Sequence, residues 1–137
     1  MLTHDSQDPI GGMMFDLMSD FAAALSAFHT DIIDGSTHNV TAVCMSEFGR
    51  MRDENASKGT DHGHGNVMFA LGKNINGGQV LTNWPGLEVE QLFENQDLEV
   101  TIDYRDILAE IVQNRLGNND LGFVFPDYTP TFQGVTM

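Results

Sequence analysis

The stretch from Met13 to Met45, MMFDLMSDFAAALSAFHTDIIDGSTHNVTAVCM, decides the fold. Its first part predicts one helix over Met13–Asp34, because large apolar residues recur at alternating spacings of four and three: Met14, Met18, Phe21, Leu25, Phe28 and Ile32. Gly35 follows, where a left-handed residue often ends a helix. The β-branched run Val40–Met45 predicts a strand buried on both faces. A helix that leads into such a strand indicates an α/β fold with parallel strands.

Further apolar segments extend this prediction. Val67–Leu71 predicts a second buried strand next to Val40–Met45, and the two strands are expected to be central in the sheet. A last helix is expected from an N-cap at Asp103 to Leu116, with Gly117 as its stop. A short strand is expected at Gln79–Leu81, and Leu98–Ile102 is expected to be either a short strand or an extended lead-in to the last helix.

The polar, glycine-rich segment from residue 50 to residue 65 has no periodicity, which predicts a loop. Residues 51–65 are expected to be mobile when no metal is bound. The irregular tail from Asn118 to Met137 is expected to pack against the rest of the fold.

Length and charge limit the functions to be considered. The chain has 137 residues, which suits a single domain over 1–137, and a net charge of −14. So acidic a chain is a poor partner for nucleic acid or for an anionic membrane surface, since both need basic residues. No apolar run approaches the ~20 residues of a membrane span, and no signal peptide is visible, so a soluble protein of unknown compartment is expected.

The densest group of candidate ligands is Gly59–Gly65, which contains Asp61, His62 and His64. Carboxylate and imidazole groups suit zinc or a similar divalent metal, although a polar loop is the alternative. In an extended segment His62 and His64 would point to opposite sides, so one of them is the better ligand candidate.

A second group follows the first strand. Glu47 is placed as a metal ligand, and Arg50 as the catalytic residue that would pair with an anionic substrate. A structural ion pair between Glu47 and Arg50 is the alternative. We expect Glu47 and His62 to lie on one side of the sheet, close enough to share a metal or one bridging water.

These motifs resemble the C-terminal part of a bacterial sulfatase-like family of unknown function in the alkaline phosphatase superfamily. The matching pieces run in order along nearly the whole chain: Thr3–His4, Met45–Arg50, Gly59–His62, Asn66–Gly72, Trp84–Leu87, Thr101–Asp106 and Phe125–Pro126. The resemblance implies a partial three-layer α/β sheet with mostly parallel strands covered by helices, as in the C-terminal half of alkaline-phosphatase-like folds.

The resemblance also implies roles for particular residues. His4, Glu47 and His62 match metal-binding positions, with Asp61 and His64 as further candidates, and the metal would be zinc, manganese or magnesium. Leu2 and Phe48 stand where relatives have an acid and a histidine. Relatives are several times longer, are often exported to the periplasm, and keep their nucleophile in a region with no counterpart here.

Three functions follow from this reading. The first is a fragment of a metal-dependent hydrolase of phosphoesters or sulfoesters. Its full-length relatives would take an anionic ester as substrate. The second is a non-catalytic module for metal binding or assembly. The third is an independent one-zinc hydrolase with Glu47 as general base. We expect little or no hydrolase activity from the chain itself, and we expect it to self-associate as a dimer, since a partial sheet leaves apolar surface to be covered.

Overall fold

The computed structural model describes residues 12–137 and contains helices and two small sheets. Helix α1 continues into a π-helical segment, four short strands follow, and a 3-10 turn leads to two final helices. The elements are α1 Met13–Phe28, the π-helical segment His29–Asp34, β1 Thr41–Cys44, β2 Gly49–Glu54, β3 Thr60–Gly63, β4 Phe69–Gly72, the 3-10 turn Val89–Gln91, α2 Tyr104–Leu116 and α3 Leu121–Val124.

The two long helices occur where the sequence predicts them. The Asp103 carboxylate accepts a hydrogen bond of 2.8 Å from the Arg105 backbone N–H, and Gly117 has a φ of 68°, so both predicted ends of α2 are confirmed. At the end of the first helix the prediction is wrong, because Gly35 has a φ of −78°. Its N–H donates to the Thr30 carbonyl at 2.9 Å, which continues the wider π-helical turn in place of a left-handed cap.

The predicted partial three-layer sheet with mostly parallel strands is wrong. Strands β1 and β4 are neighbours, as expected, but they are antiparallel, with Thr41 opposite Gly72 and Cys44 opposite Phe69. Parallel neighbours need a crossover connection, usually a helix. Here the chain between Cys44 and Phe69 forms a hairpin, so it re-enters the sheet in the opposite direction.

That hairpin replaces the loop predicted for residues 50–65. Strands β2 and β3 pair antiparallel, with Arg50 opposite His62 and a bulge before Glu54. Asn55 closes the turn, because its side-chain oxygen accepts hydrogen bonds from the backbone N–H groups of Ser57 and Gly59. The other edge of β2 contacts residues 96–98 through the Leu98 N–H, which donates to the Arg50 carbonyl at 3.1 Å. The strands of the hairpin are therefore hydrogen-bonded to each other and to residues 96–98, and the mobility expected for residues 51–65 stays a prediction.

The buried core is small and lies between α2 and the first sheet. Ile107, Ile111 and Val135 form its buried centre, with Val43 and Met68 among the half-buried residues packed against it. The predicted segments at residues 79–81 and 98–102 form no strand. No helix in the described part of the chain is long and apolar enough to cross a membrane.

Candidate functional site

The predicted site residues that the structure describes lie in the hairpin or next to it. His4 lies outside the described residues, so its role stays a prediction. Glu47 lies in an exposed bend after β1, Arg50 is the second residue of β2, and Asp61 lies in β3. Asp61 accepts a hydrogen bond of 3.0 Å from the side-chain amide of Asn55.

Phe48, directly before β2, contacts two side chains of the hairpin. Its ring stacks on the His62 ring at 3.9 Å between centroids, with 21° between the planes. The Arg50 guanidinium carbon lies 5.4 Å from the centroid of the same ring, and Arg50 Nη1 donates to the Thr60 carbonyl at 2.9 Å. Arg50 is thus bonded to the hairpin backbone, and the His62 ring is oriented by an aromatic neighbour.

His64 has a partner that the sequence analysis missed. Its Nδ1 lies 2.6 Å from the Asp97 Oδ2, and its ring lies 4.2 Å from that of Phe93. Asp97 belongs to the 93–97 turn and is 6% exposed. Because His64 directly follows β3, this contact links the hairpin to that turn. No local pattern signals this contact, because Asp97 lies 33 positions further along in an acidic, irregular stretch.

The described residues do not form a set of ligands that could hold a metal ion. Among residues 12–137, no group of three or more His, Cys, Asp or Glu side chains is close enough to hold a metal ion. The sites proposed at Glu47, Asp61, His62 and His64, and the zinc, manganese or magnesium they would bind, therefore stay predictions.

An open groove of about 1020 Å³ lies beside the hairpin. Its wall includes β4 and the segment that leads into it, the extended residues 98–103, and residues 75–82 with Trp84. Glu47, Phe48 and His64 also line it, so this end of the groove borders the predicted site. Most of its large lining side chains are apolar.

Two buried carboxylates on α2 hold the C-terminal tail. The Glu110 side chain is 2% exposed and accepts hydrogen bonds from the backbone N–H groups of Gln133, Gly134 and Thr136 at 2.7–2.9 Å. Asp106, which is 7% exposed, accepts from the Tyr128 hydroxyl and from the Thr131 N–H, both at 2.7 Å. The tail is therefore anchored by charge-assisted hydrogen bonds, as well as by Val135 in the core.

The contact between the C-terminal tail and α2 changes the pKa of Tyr128. Its hydrogen bond to Asp106 is the main cause that raises the pKa of its hydroxyl to about 12. The Arg105 guanidinium carbon lies 3.7 Å from the centroid of the Tyr128 ring. The neutral phenol is thus the form that the fold stabilises.

Comparison with known proteins changes the reading of the motifs. Comparison with curated proteins and with solved structures finds no match. The resemblance to a sulfatase-like family of the alkaline phosphatase superfamily is wrong, because the matching family is a different one and no sulfatase or alkaline phosphatase family is indicated. The match is to a protein family of unknown function, DUF1501, and extends over residues 3–120. This match spans most of the sequence, and the chain belongs to the DUF1501 family.

Proposed function

We propose that the chain is an assembly module that pairs with a second copy of itself through α1. Among the functions that the sequence suggests, assembly has the most support from the described residues. The observation that supports it best is the mismatch between the apolar surface of α1 and its burial.

Helix α1 is apolar almost all round. Its polar residues are Asp16, Ser19, Asp20 and Ser26, and the remaining positions are Met, Phe, Leu or Ala. A helix of this composition is normally buried, yet no residue of α1, all of which lie in the described part, is buried. The face that meets the fold is narrow; Phe21, for example, contacts Phe69 with ring centroids 5.7 Å apart.

The uncovered part of α1 has a symmetry that suits self-association. Met13, Leu17, Ala24 and Phe28, here called the α1 stripe, are all exposed and lie along one line of the helix. In an antiparallel pair whose two-fold axis passes between residues 20 and 21, Met13 would face Phe28 of the second copy, and Leu17 would face Ala24. Each large side chain then meets a complementary one, as a two-fold interface requires.

Charge and area set the strength of this pairing. Each copy carries a net charge of −14, so two copies repel each other at low salt. One helix pair also buries less than the ~800 Å² per partner of a standard complex. We therefore expect a weak dimer, with a dissociation constant on the order of micromolar, that strengthens as salt screens the repulsion.

Sedimentation velocity on the full chain at several concentrations tests this proposal. The wild type is expected to shift from monomer to dimer as concentration or salt rises. The double variant Leu17→Gln/Met18→Gln changes one residue of the α1 stripe and its sequence neighbour Met18, which is 49% exposed at the side of the stripe, and it is expected to weaken the dimer at least tenfold. Glutamine keeps a helix propensity close to that of leucine and methionine, so α1 is expected to stay helical.

Leu116→Gln serves as the control, because Leu116 is 74% exposed and lies at the end of a different helix, α2. The control is expected to associate like the wild type. A wild type that stays monomeric at high salt, or a dimer that the α1 variant leaves intact, would disprove the proposal.

A further inference from the structure

The groove differs from the α1 stripe in two ways: acidic side chains line it, and some of the backbone along it makes no backbone–backbone hydrogen bond with any described residue. Its wall contains large apolar side chains, among them Val67, Phe69 and Val100. Trp84, the sole tryptophan of the chain, also lines it and is 58% exposed. Such a lining is typical of a binding site, and its volume is at the upper end of the range for ligand pockets.

The charged side chains of the groove are all acidic. Glu47, Glu99 and Asp103 line it, whereas none of the six Lys and Arg residues, all of which are described, does so. Asp103 is paired with Arg105 at 2.7 Å, but Glu47 and Glu99 form no ion pair with any residue in the described part of the chain. An apolar groove with acidic side chains complements a ligand that is apolar and positively charged.

The backbone along the groove has hydrogen-bonding groups to offer. Within the described chain, β1 is the one strand paired with β4, so the other edge of β4 has no strand beside it. Residues 99–102 and 80–86 make no backbone–backbone hydrogen bond with any described residue. An extended peptide beside these segments would satisfy such groups, which is how strand addition gives affinity.

We infer that the groove binds an extended, positively charged apolar peptide segment, which adds a strand beside β4. The apolar side chains of the peptide would contact Val67, Phe69 and Trp84, while its lysines or arginines would face Glu47 and Glu99. This site is separate from the α1 stripe, because no residue of the stripe lines the groove.

The experiment is a fluorescence titration of the full-length Leu17→Gln/Met18→Gln variant, in which self-association is weakened. The probe is a short peptide of alternating valine and lysine with blocked ends, and Trp84 is the reporter. Saturable binding with a blue shift of Trp84 emission is expected, and rising salt is expected to weaken it several-fold. Because the α1 variant is used, failure of this test leaves the dimer proposal untouched.

Two matched peptides and two variants separate the parts of the inference. A valine–glutamate peptide is expected to bind at least tenfold more weakly, and so is an N-methylated valine–lysine peptide that cannot pair with a strand. Glu99→Gln is expected to weaken binding several-fold, whereas Glu90→Gln, an exposed control outside the groove, is expected to have no effect.

Three results would overturn the inference. The first is no saturable change at peptide concentrations up to about 1 mM. The second is equal binding of the lysine and glutamate peptides, and the third is binding that N-methylation leaves unchanged.

Discussion

Helices α1 and α2 reverse the usual relation between apolar sequence and burial. Helix α1 is the more apolar of the two and contains no buried residue, although all of it is described. Helix α2 is rich in charged residues. Five of its residues, charged and apolar, are buried: Asp106, Ile107, Ala109, Glu110 and Ile111. The apolar helix therefore has more nonpolar surface than the described residues cover, and the charged helix contributes Ile107 and Ile111 to the buried core.

The difference shows that burial here depends on partners. Asp106 and Glu110 are buried because the C-terminal tail brings hydrogen-bond donors to them. The α1 stripe has no comparable neighbour within the described chain, and we propose that a second copy covers it. On this view α2 determines the stability of the monomer, and α1 determines association.

The largest expected effect is on the free energy of unfolding, from a buried carboxylate of α2. Glu110→Ala is expected to lower the free energy of unfolding by about 3–5 kcal/mol, because it leaves the tail N–H groups of Gln133, Gly134 and Thr136 without their acceptor. Chemical denaturation measures the change. Glu90→Ala removes the same side chain from an exposed position and is expected to change stability by less than ~0.5 kcal/mol. A similar effect of both substitutions would show that the tail is not anchored in this way.

A smaller effect is expected at Tyr128. Tyr128→Phe removes the hydroxyl that donates to Asp106 at 2.7 Å, and it is expected to lower the free energy of unfolding at neutral pH by clearly less than Glu110→Ala does. Tyr104→Phe, at an exposed position on the same helix as Asp106, is the control and is expected to have little effect.

The same residue predicts a pH dependence. The folded-state pKa of Tyr128 is raised from 10.0 to about 12, so its contribution is fully present below pH 10 and is lost as the pH rises through about 12. The stability difference between the wild type and Tyr128→Phe should therefore shrink over that range. A difference that stays constant would contradict the role of the hydrogen bond.

The smallest expected effect is on dimerisation, from an exposed charge on α1. Asp20 lies next to the proposed two-fold axis, so the two Asp20 carboxylates of a dimer would repel each other. Asp20→Asn is expected to strengthen dimerisation a few-fold at low salt, and the gain should fade as salt is added. Asp31→Asn makes the same charge change about three helical turns away and is expected to have a smaller effect. Equal gains from both would show that net charge, and not position, controls association.

The sequence predicts some of these features well for physical reasons. The helices at Met13–Asp34 and Asp103–Leu116 are strongly periodic, and Asp103 and Gly117 are local signals for the ends of α2. Strands β1 and β4 are apolar enough to be found, but their direction depends on the hairpin between them. That hairpin is polar, and its turn depends on the side chain of Asn55.

The candidate site was harder to predict because its contacts are long-range. The stacking of Phe48 on His62 follows from the hairpin register, and the His64–Asp97 pair joins residues 33 positions apart. Likewise, Asp106 and Glu110 have the sequence pattern of solvent-exposed helix residues, and only the path of the tail explains their burial. Local patterns predict elements, whereas these contacts depend on how the elements meet.

The central claim, that α1 is covered by α1 of a second copy, is tested most directly by a distance between two copies. A nitroxide label at Thr30→Cys, in a Cys44→Ser background, places one label per chain near the end of the first helix. In the antiparallel pair the labelled positions lie about 30 Å apart, given the helical rise and a separation of ~10 Å between the helix axes.

Double electron–electron resonance on the labelled dimer should therefore give a distance centred near ~30 Å. This distance is expected to disappear when Leu17→Gln/Met18→Gln is added. No dipolar coupling between copies at high protein concentration and high salt, or a distance that the added α1 substitutions leave unchanged, would contradict the account.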